Sequence, residues 1–251
     1  MAENSKIEWT DHTFNPWWGC EKVSPACANC YAEAFAKRTG NNVWGRKSDR
    51  RFFGDKHWNE PLKWDARAKA EGVRRRVFCA SMADVFEDRM DLDAQRNRLW
   101  DLIDATPNLD WLLLTKRPER IRFSIPGDWM DDPRPNVWYG TTVESAEYES
   151  RILALHDTPG LVRFVSCEPL LGRIDLCSLR EMDWVIVGGE SGPKKRPLNL
   201  DHAREIRDYC LENTIAFFMK QVDKIQPVPD DLMIRQFPQP TTYQGNHSDE
   251  N

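Results

Sequence analysis

From Arg76 onward, short apolar runs alternate with amphipathic stretches. The runs are Val77-Phe78-Cys79-Ala80, Trp111-Leu112-Leu113-Leu114, Val137-Trp138-Tyr139-Gly140, Val162-Arg163-Phe164-Val165, Trp184-Val185-Ile186-Val187 and Ile215-Ala216-Phe217-Phe218. Runs this short and nearly unbroken suit parallel strands buried on both faces. A further strand is expected near Glu8 to Phe14. The stretches between carry helical stripes: Leu92, Leu99, Leu102 and Ile103, then Tyr148, Ile152 and Leu155. A third stripe, Ala203, Ile206, Cys210 and Leu211, follows Asp201 as the expected cap. Strand–helix alternation of this kind predicts a parallel sheet with right-handed crossovers. The expected fold is therefore α/β, a TIM-like parallel β/α barrel, complete or partial, in one domain. An open doubly wound sheet is the rival. The expected domain runs over 1–243, with a cysteine loop at 15–31, a basic–aromatic insertion at 41–76 and a flexible tail at 244–251.

Polar residues follow the runs: Asp84, Thr115-Lys116-Arg117, Thr141-Thr142-Val143-Glu144, Glu168, Gly188-Gly189-Glu190 and Lys220. In parallel α/β folds the strand C-termini share one rim, where active sites lie. Helix capping is the plainer reading of an acid just past a strand, and it suits Asp84 or Glu144. It suits Glu168 poorly, because Pro169 follows. It suits Gly188-Gly189-Glu190 poorly too, since paired glycines suggest a ligand close to the backbone.

The same rim would receive a loop holding Cys20, Cys27 and Cys30. Two residues between the last pair let both sulfurs reach one metal. Cys30 opens an expected helix over Tyr31–Arg38, and helix N-termini favour thiolates. Three thiolates on an iron–sulfur cube leave one iron open. A zinc site would need a fourth ligand, such as His12, His57 or Cys79. A packing role would make the three cysteines small buried hydrophobes.

Composition narrows the picture. The 251 residues are 40% hydrophobic and 30% charged, which suits a globular chain. No apolar stretch reaches the roughly 18 residues of a membrane span, and the N-terminus lacks the order of a signal peptide. Seven cysteines without an export signal suggest the reducing cytoplasm and metal binding rather than disulfides. The net charge of −5 hides 13 Lys and Arg against 5 Asp and Glu between Lys37 and Arg76. There, Trp44, Arg46, Arg50 and Arg51 lead an interleaving of cations with rings that fits phosphates and stacked bases. The plainer reading is that the rings cover the barrel while the cations stay solvated.

Asn15-Pro16-Trp17-Trp18-Gly19-Cys20, Cys27-Ala28-Asn29-Cys30-Tyr31-Ala32, Ser81-Met82-Ala83-Asp84-Val85-Phe86, Leu114-Thr115-Lys116-Arg117-Pro118, Glu168-Pro169-Leu170-Leu171-Gly172 and Val187-Gly188-Gly189-Glu190-Ser191-Gly192 resemble a phage-associated family known for its three-cysteine motif. Three cysteines on a partial barrel also resemble the radical S-adenosylmethionine enzymes. That resemblance implies a [4Fe–4S] cluster on Cys20, Cys27 and Cys30, and S-adenosyl-L-methionine cleaved to a 5′-deoxyadenosyl radical by an electron from an external donor. On their own chemistry, Glu190 or Asp84 can pair with an ammonium, Thr142 can bond a ribose, and Lys116 or Arg117 can hold a carboxylate or phosphate. Glu144, Gly188 and Gly189 complete the expected cofactor set, with Glu168, Glu190 and Lys116 as catalytic groups. The chain departs from the superfamily in three ways: the first cysteine gap has six residues rather than three, Asn29 stands where an aromatic is usual, and Gly-Gly-Glu follows the sixth strand rather than the second. The expected substrate is a nucleotide or nucleic acid. Two alternatives stand beside this one. One is a nucleic-acid-binding protein with a structural metal; the other is a barrel hydrolase or lyase with Glu168 and Glu190 as acid and base.

Overall fold

The computed structural model describes residues 2–192 and 194–239; the expected tail at 244–251 lies outside them. Seven strands form one parallel sheet: β1 (His12–Thr13), β2 (Arg75–Cys79), β3 (Leu109–Thr115), β4 (Val137–Thr142), β5 (Val162–Cys167), β6 (Trp184–Gly188) and β7 (Ala216–Gln221). Each pairs with the next in sequence, from β1 to β7 without a reversal. A doubly wound sheet needs a reversal of strand order, so the rival topology is removed.

The sheet curls. Trp9, just ahead of β1, lies 4.6 Å from the ring of Phe78 on β2 and 6.2 Å from Trp184 on β6. Four strand spacings on a flat sheet would separate β2 from β6 by about 19 Å. The concave face therefore closes on an aromatic plug of Trp9, Phe78, Trp138, Phe164, Trp184 and Phe218. Alternate residues on the same strands, Val77, Cys79, Leu113, Tyr139, Val165, Cys167, Val187 and Met219, face the helices. α1 (Tyr31–Arg38) packs separately, with Val43 and Met82, while the helices on that face include α2 (Glu60–Glu71), α3 (Asp93–Asp104), α4 (Ser150–His156) and α5 (Leu200–Glu212).

The barrel stays open between β1 and β7, which end the sheet. Each free edge is covered by a short antiparallel contact, Ala2 with Thr13 and Arg235 with Phe218, which blocks further strand addition. An ion pair of 2.9 Å between Arg235 and Glu8 joins the two covering segments across the seam.

Two details differ from the sequence reading. The α5 cap is Asn199, whose side chain accepts the Asp201 amide, so Asp201 sits inside the first turn. Leu211 is 48% exposed, off the buried stripe of Ala203, Ile206 and Cys210. Among the described residues no helix is long and apolar enough to cross a membrane.

Candidate functional site

A cavity of about 510 Å³ opens at the C-terminal ends of the strands. Cys20, Cys27 and Cys30 all line it, facing Lys116, Thr142, Ser166, Glu168 and Lys220 from the concave side of the sheet.

The cysteine loop is held over this mouth by bonds to four strand ends. Beyond β2, the Gly19 amide donates to Met82 O at 3.0 Å. Beyond β3, Arg117 donates to Glu21 O at 3.1 Å. Beyond β4, Glu144 accepts the Ala26 amide at 3.4 Å. Beyond β6, Glu190 accepts from Asn29 Nδ2 at 3.0 Å. Arg196, bound to Glu190, also donates to Pro25 O at 3.0 Å.

Burial pushes the Cys20 thiol up to about 12, with Asp84 adding to the effect. Burial also raises Cys30, against the opposing amides of Ala32 and Glu33 in the first turn of α1. Among the described residues no three His, Cys, Asp or Glu side chains are gathered around one point fit for a metal ion. The three sulfurs share the cavity without yet converging. The donor type and location nevertheless fit a three-thiolate cluster, because all three sulfurs line one cavity; the other ligands considered lie outside it. His12 stacks on Trp64, His57 bonds to Asn15 O and stacks on Phe53, and Cys79 is buried on the helix side. None of these three therefore supplies the fourth ligand of a closed zinc site.

The other expected site residues divide. Thr142 faces the cavity, and its hydroxyl accepts from Lys116 Nζ at 3.3 Å. Glu168 lies 2.7 Å from Lys220 Nζ and accepts from Ser166 at 3.3 Å. Asp84 lines the cavity, but its oxygens already take Thr115 Oγ1 at 2.7 Å, Arg117 at 2.8 Å and the Phe86 amide at 3.0 Å. Glu144 does not reach the cavity, being buried against Arg151 at 2.9 Å. Nor does Glu190. Burial raises its carboxyl, yet hydrogen bonds from the Arg196 side chain and amide outweigh this and hold it below the usual carboxylate range. It is thus an ionised clamp on the cysteine loop rather than an acid facing Glu168. Gly188 and Gly189 are explained by the protein itself. A Cβ on Gly189 would lie 2.1 Å from Val222 O, and one on Gly188 2.9 Å from Glu168 Oε1.

The basic–aromatic insertion is mostly folded inward. Arg50 is buried in a two-pronged pair with Glu87, so it offers no charge to a phosphate. Arg51 is exposed and stacks over Trp18 at 4.8 Å, while Arg46 is exposed. Trp58 and Trp64 are buried; Trp44 alone of the insertion's tryptophans lines the cavity. The sequence reading missed the clamp formed by Arg117, Glu144, Glu190 and Arg196. Only the position of the first three past strand ends hinted at it.

Residues 4–249 match the family described as Protein of unknown function (DUF5131). The chain belongs to that family. Among curated proteins none matches this DUF5131 chain. Solved structures of spore photoproduct lyase share its fold. A tyrosine-to-phenylalanine variant aligns with a TM-score of 0.54 at 11% identity, covering 86% of this chain and 78% of that one. A cysteine-to-serine variant aligns at 0.52 and 12% identity, with the same coverage. A double variant with bound AdoMet and dinucleoside spore photoproduct aligns at 0.50 and 13% identity, again covering 86% and 78%.

Proposed function

We propose that this protein is an iron–sulfur enzyme of the radical S-adenosylmethionine type, acting on a nucleotide or nucleic-acid substrate in the cytoplasm with an external electron donor. The observation that carries the reading is that Cys20, Cys27 and Cys30 line one cavity with the polar strand ends of a seven-stranded parallel half-barrel. Spore photoproduct lyase shares that fold, and one of its structures holds AdoMet and a dinucleoside. Cys20, Cys27 and Cys30 would hold a [4Fe–4S] cluster, which when bound supplies an electron to a sulfonium at its open iron.

The chain's own residues have separate tasks. Lys116 presents an ammonium near the cysteine loop and binds a carboxylate. Thr142 orients it through the 3.3 Å contact and offers its hydroxyl to a ribose. Glu168 and Lys220, 2.7 Å apart, form an ion pair that lines the mouth and offers both charges to a substrate. The Phe78, Trp9 and Leu114 wall keeps water from that region. Glu144 and Glu190, expected at the cofactor, act instead through the loop they tether.

Purified and reconstituted without oxygen, the protein should carry about four irons per chain. Its electron paramagnetic resonance signal should change when S-adenosylmethionine is added. Cys20→Ala/Cys27→Ala/Cys30→Ala should lose the iron while keeping its circular dichroism. A colourless, zinc-loaded product, or iron retained by the triple variant, would refute the reading.

A further inference from the structure

The cavity is lined by six cations, Lys6, Lys22, Lys116, Arg117, Lys220 and Lys224, against three carboxylates. Two of those carboxylates are already neutralised: Asp84 by Arg117 at 2.8 Å and Glu168 by Lys220 at 2.7 Å. Lys22 is paired outward with Glu33 at 2.7 Å. The third carboxylate, Glu21, follows Cys20 on the loop. Among the described residues Lys6, Lys116 and Lys224 have no carboxylate partner. The mouth therefore carries surplus positive charge in a concave, low-dielectric setting, which concentrates anions.

The surplus is also placed. Lys6 lies ahead of β1 and Lys224 just after β7, so these two lysines stand on opposite banks of the unclosed seam. Both are exposed, and Ile225 beside Lys224 is 82% exposed. Part of the seam is already bridged by Glu8 and Arg235. Two further rings line the mouth: Tyr31, 53% exposed, and Trp44, half-buried. Cations that can follow phosphates beside rings that can stack on bases form a single-strand reading surface.

The geometry points to a phosphodiester-binding edge at this seam. Lys6 and Lys224 grip the backbone phosphates of an unpaired nucleic-acid strand while one of its nucleotides enters the cavity against Tyr31 and Trp44. The edge deepens the proposed function and rests on it for the chemistry that follows, though not for binding. It also moves the phosphate contacts from Arg50 and the insertion to the banks of the seam.

The test is fluorescence anisotropy with a labelled single-stranded oligodeoxythymidine of about twelve nucleotides, titrated with the full chain at several salt concentrations. Lys6→Gln/Lys224→Gln should weaken binding roughly tenfold at low salt and make the log–log salt slope shallower by about 1.4. Tyr31→Ala should weaken binding without changing the slope. An unchanged slope in the lysine double variant, loss of binding in Arg46→Gln/Lys47→Gln instead, or no binding by the parent chain at low salt would each overturn the edge. The parent chain's iron content, measured beside its DNA binding, separates the two readings. DNA binding retained by a parent that takes up no iron leaves the edge standing and removes the cluster; iron uptake without DNA binding does the reverse.

Discussion

Arg50 donates through Nε and Nη2 to both oxygens of Glu87, at 3.0 and 2.5 Å, and through Nη1 to the carbonyls of Val43, Gly45 and Ser48. Both side chains are almost wholly buried. Removing one member strands the other charge, which costs about 3–5 kcal/mol. Glu87→Ala should lower the unfolding free energy by that order, measured by urea titration, whereas Arg51→Ala on the exposed face should change it by less than about 1 kcal/mol. Histidine supplies a second prediction. Burial holds His12 and His57 below their ordinary value. As pH falls below about 6.5, the unfolded chain binds protons that the folded chain refuses, so their contribution to stability is lost on acidification. The melting temperature should fall between pH 7.5 and 5.5. The fall should shrink in His57→Gln, whose amide can still donate to Asn15 O. A residue's charge was visible in the sequence, but its partner was not. Arg50 and Glu87 are 37 positions apart, so nothing local marked Arg50 as structural rather than phosphate-binding.

At the scale of elements, each strand found in the sequence from Val77 to Phe218 exists, with no end moved by more than three residues. The apolar runs sufficed because both faces of these strands are buried. β1 is shorter than expected, at His12–Thr13, since its outer edge is covered by Ala2 rather than by a full strand. Crowding inside the barrel gives a third prediction. Gly140 on β4 lies under the Phe164 ring, where an added Cβ would come within 2.2 Å of Phe164 Cζ. Gly140→Ala should destabilise by about 1–3 kcal/mol. The double variant Gly140→Ala/Phe164→Leu should recover part of that loss in the same denaturant titration. Sequence reading placed the cysteine loop at the right rim but could not foresee its clamps. Arg196 meets Glu190 six positions on, outside the apolar runs and helical stripes, where no periodic signal exists.

Across the whole molecule, six consecutive parallel pairings give a seven-stranded sheet whose contacts are mostly between neighbours in sequence. The fold class and the common rim were legible because strand–helix alternation admits few arrangements. Whether the barrel closed was not, because closure depends on how the segments before β1 and after β7 pack, and there the sequence carries no repeating pattern. Those segments meet at Glu8 and Arg235, and the cavity reaches the remaining gap at Lys6 and Lys224.

The loop clamps also bear on biosynthesis. Cys20 to Cys30 leave the ribosome early, yet Glu144 and the Glu190–Arg196 pair that fasten them are made more than a hundred residues later. Because domains assemble as the chain emerges, the loop is fastened stepwise, first beyond β2 and β3, then beyond β4, and last when the sixth strand has docked. A chain interrupted before Glu190 would keep the Met82, Arg117 and Glu144 contacts to the loop but lack the tethers at Asn29 and Pro25.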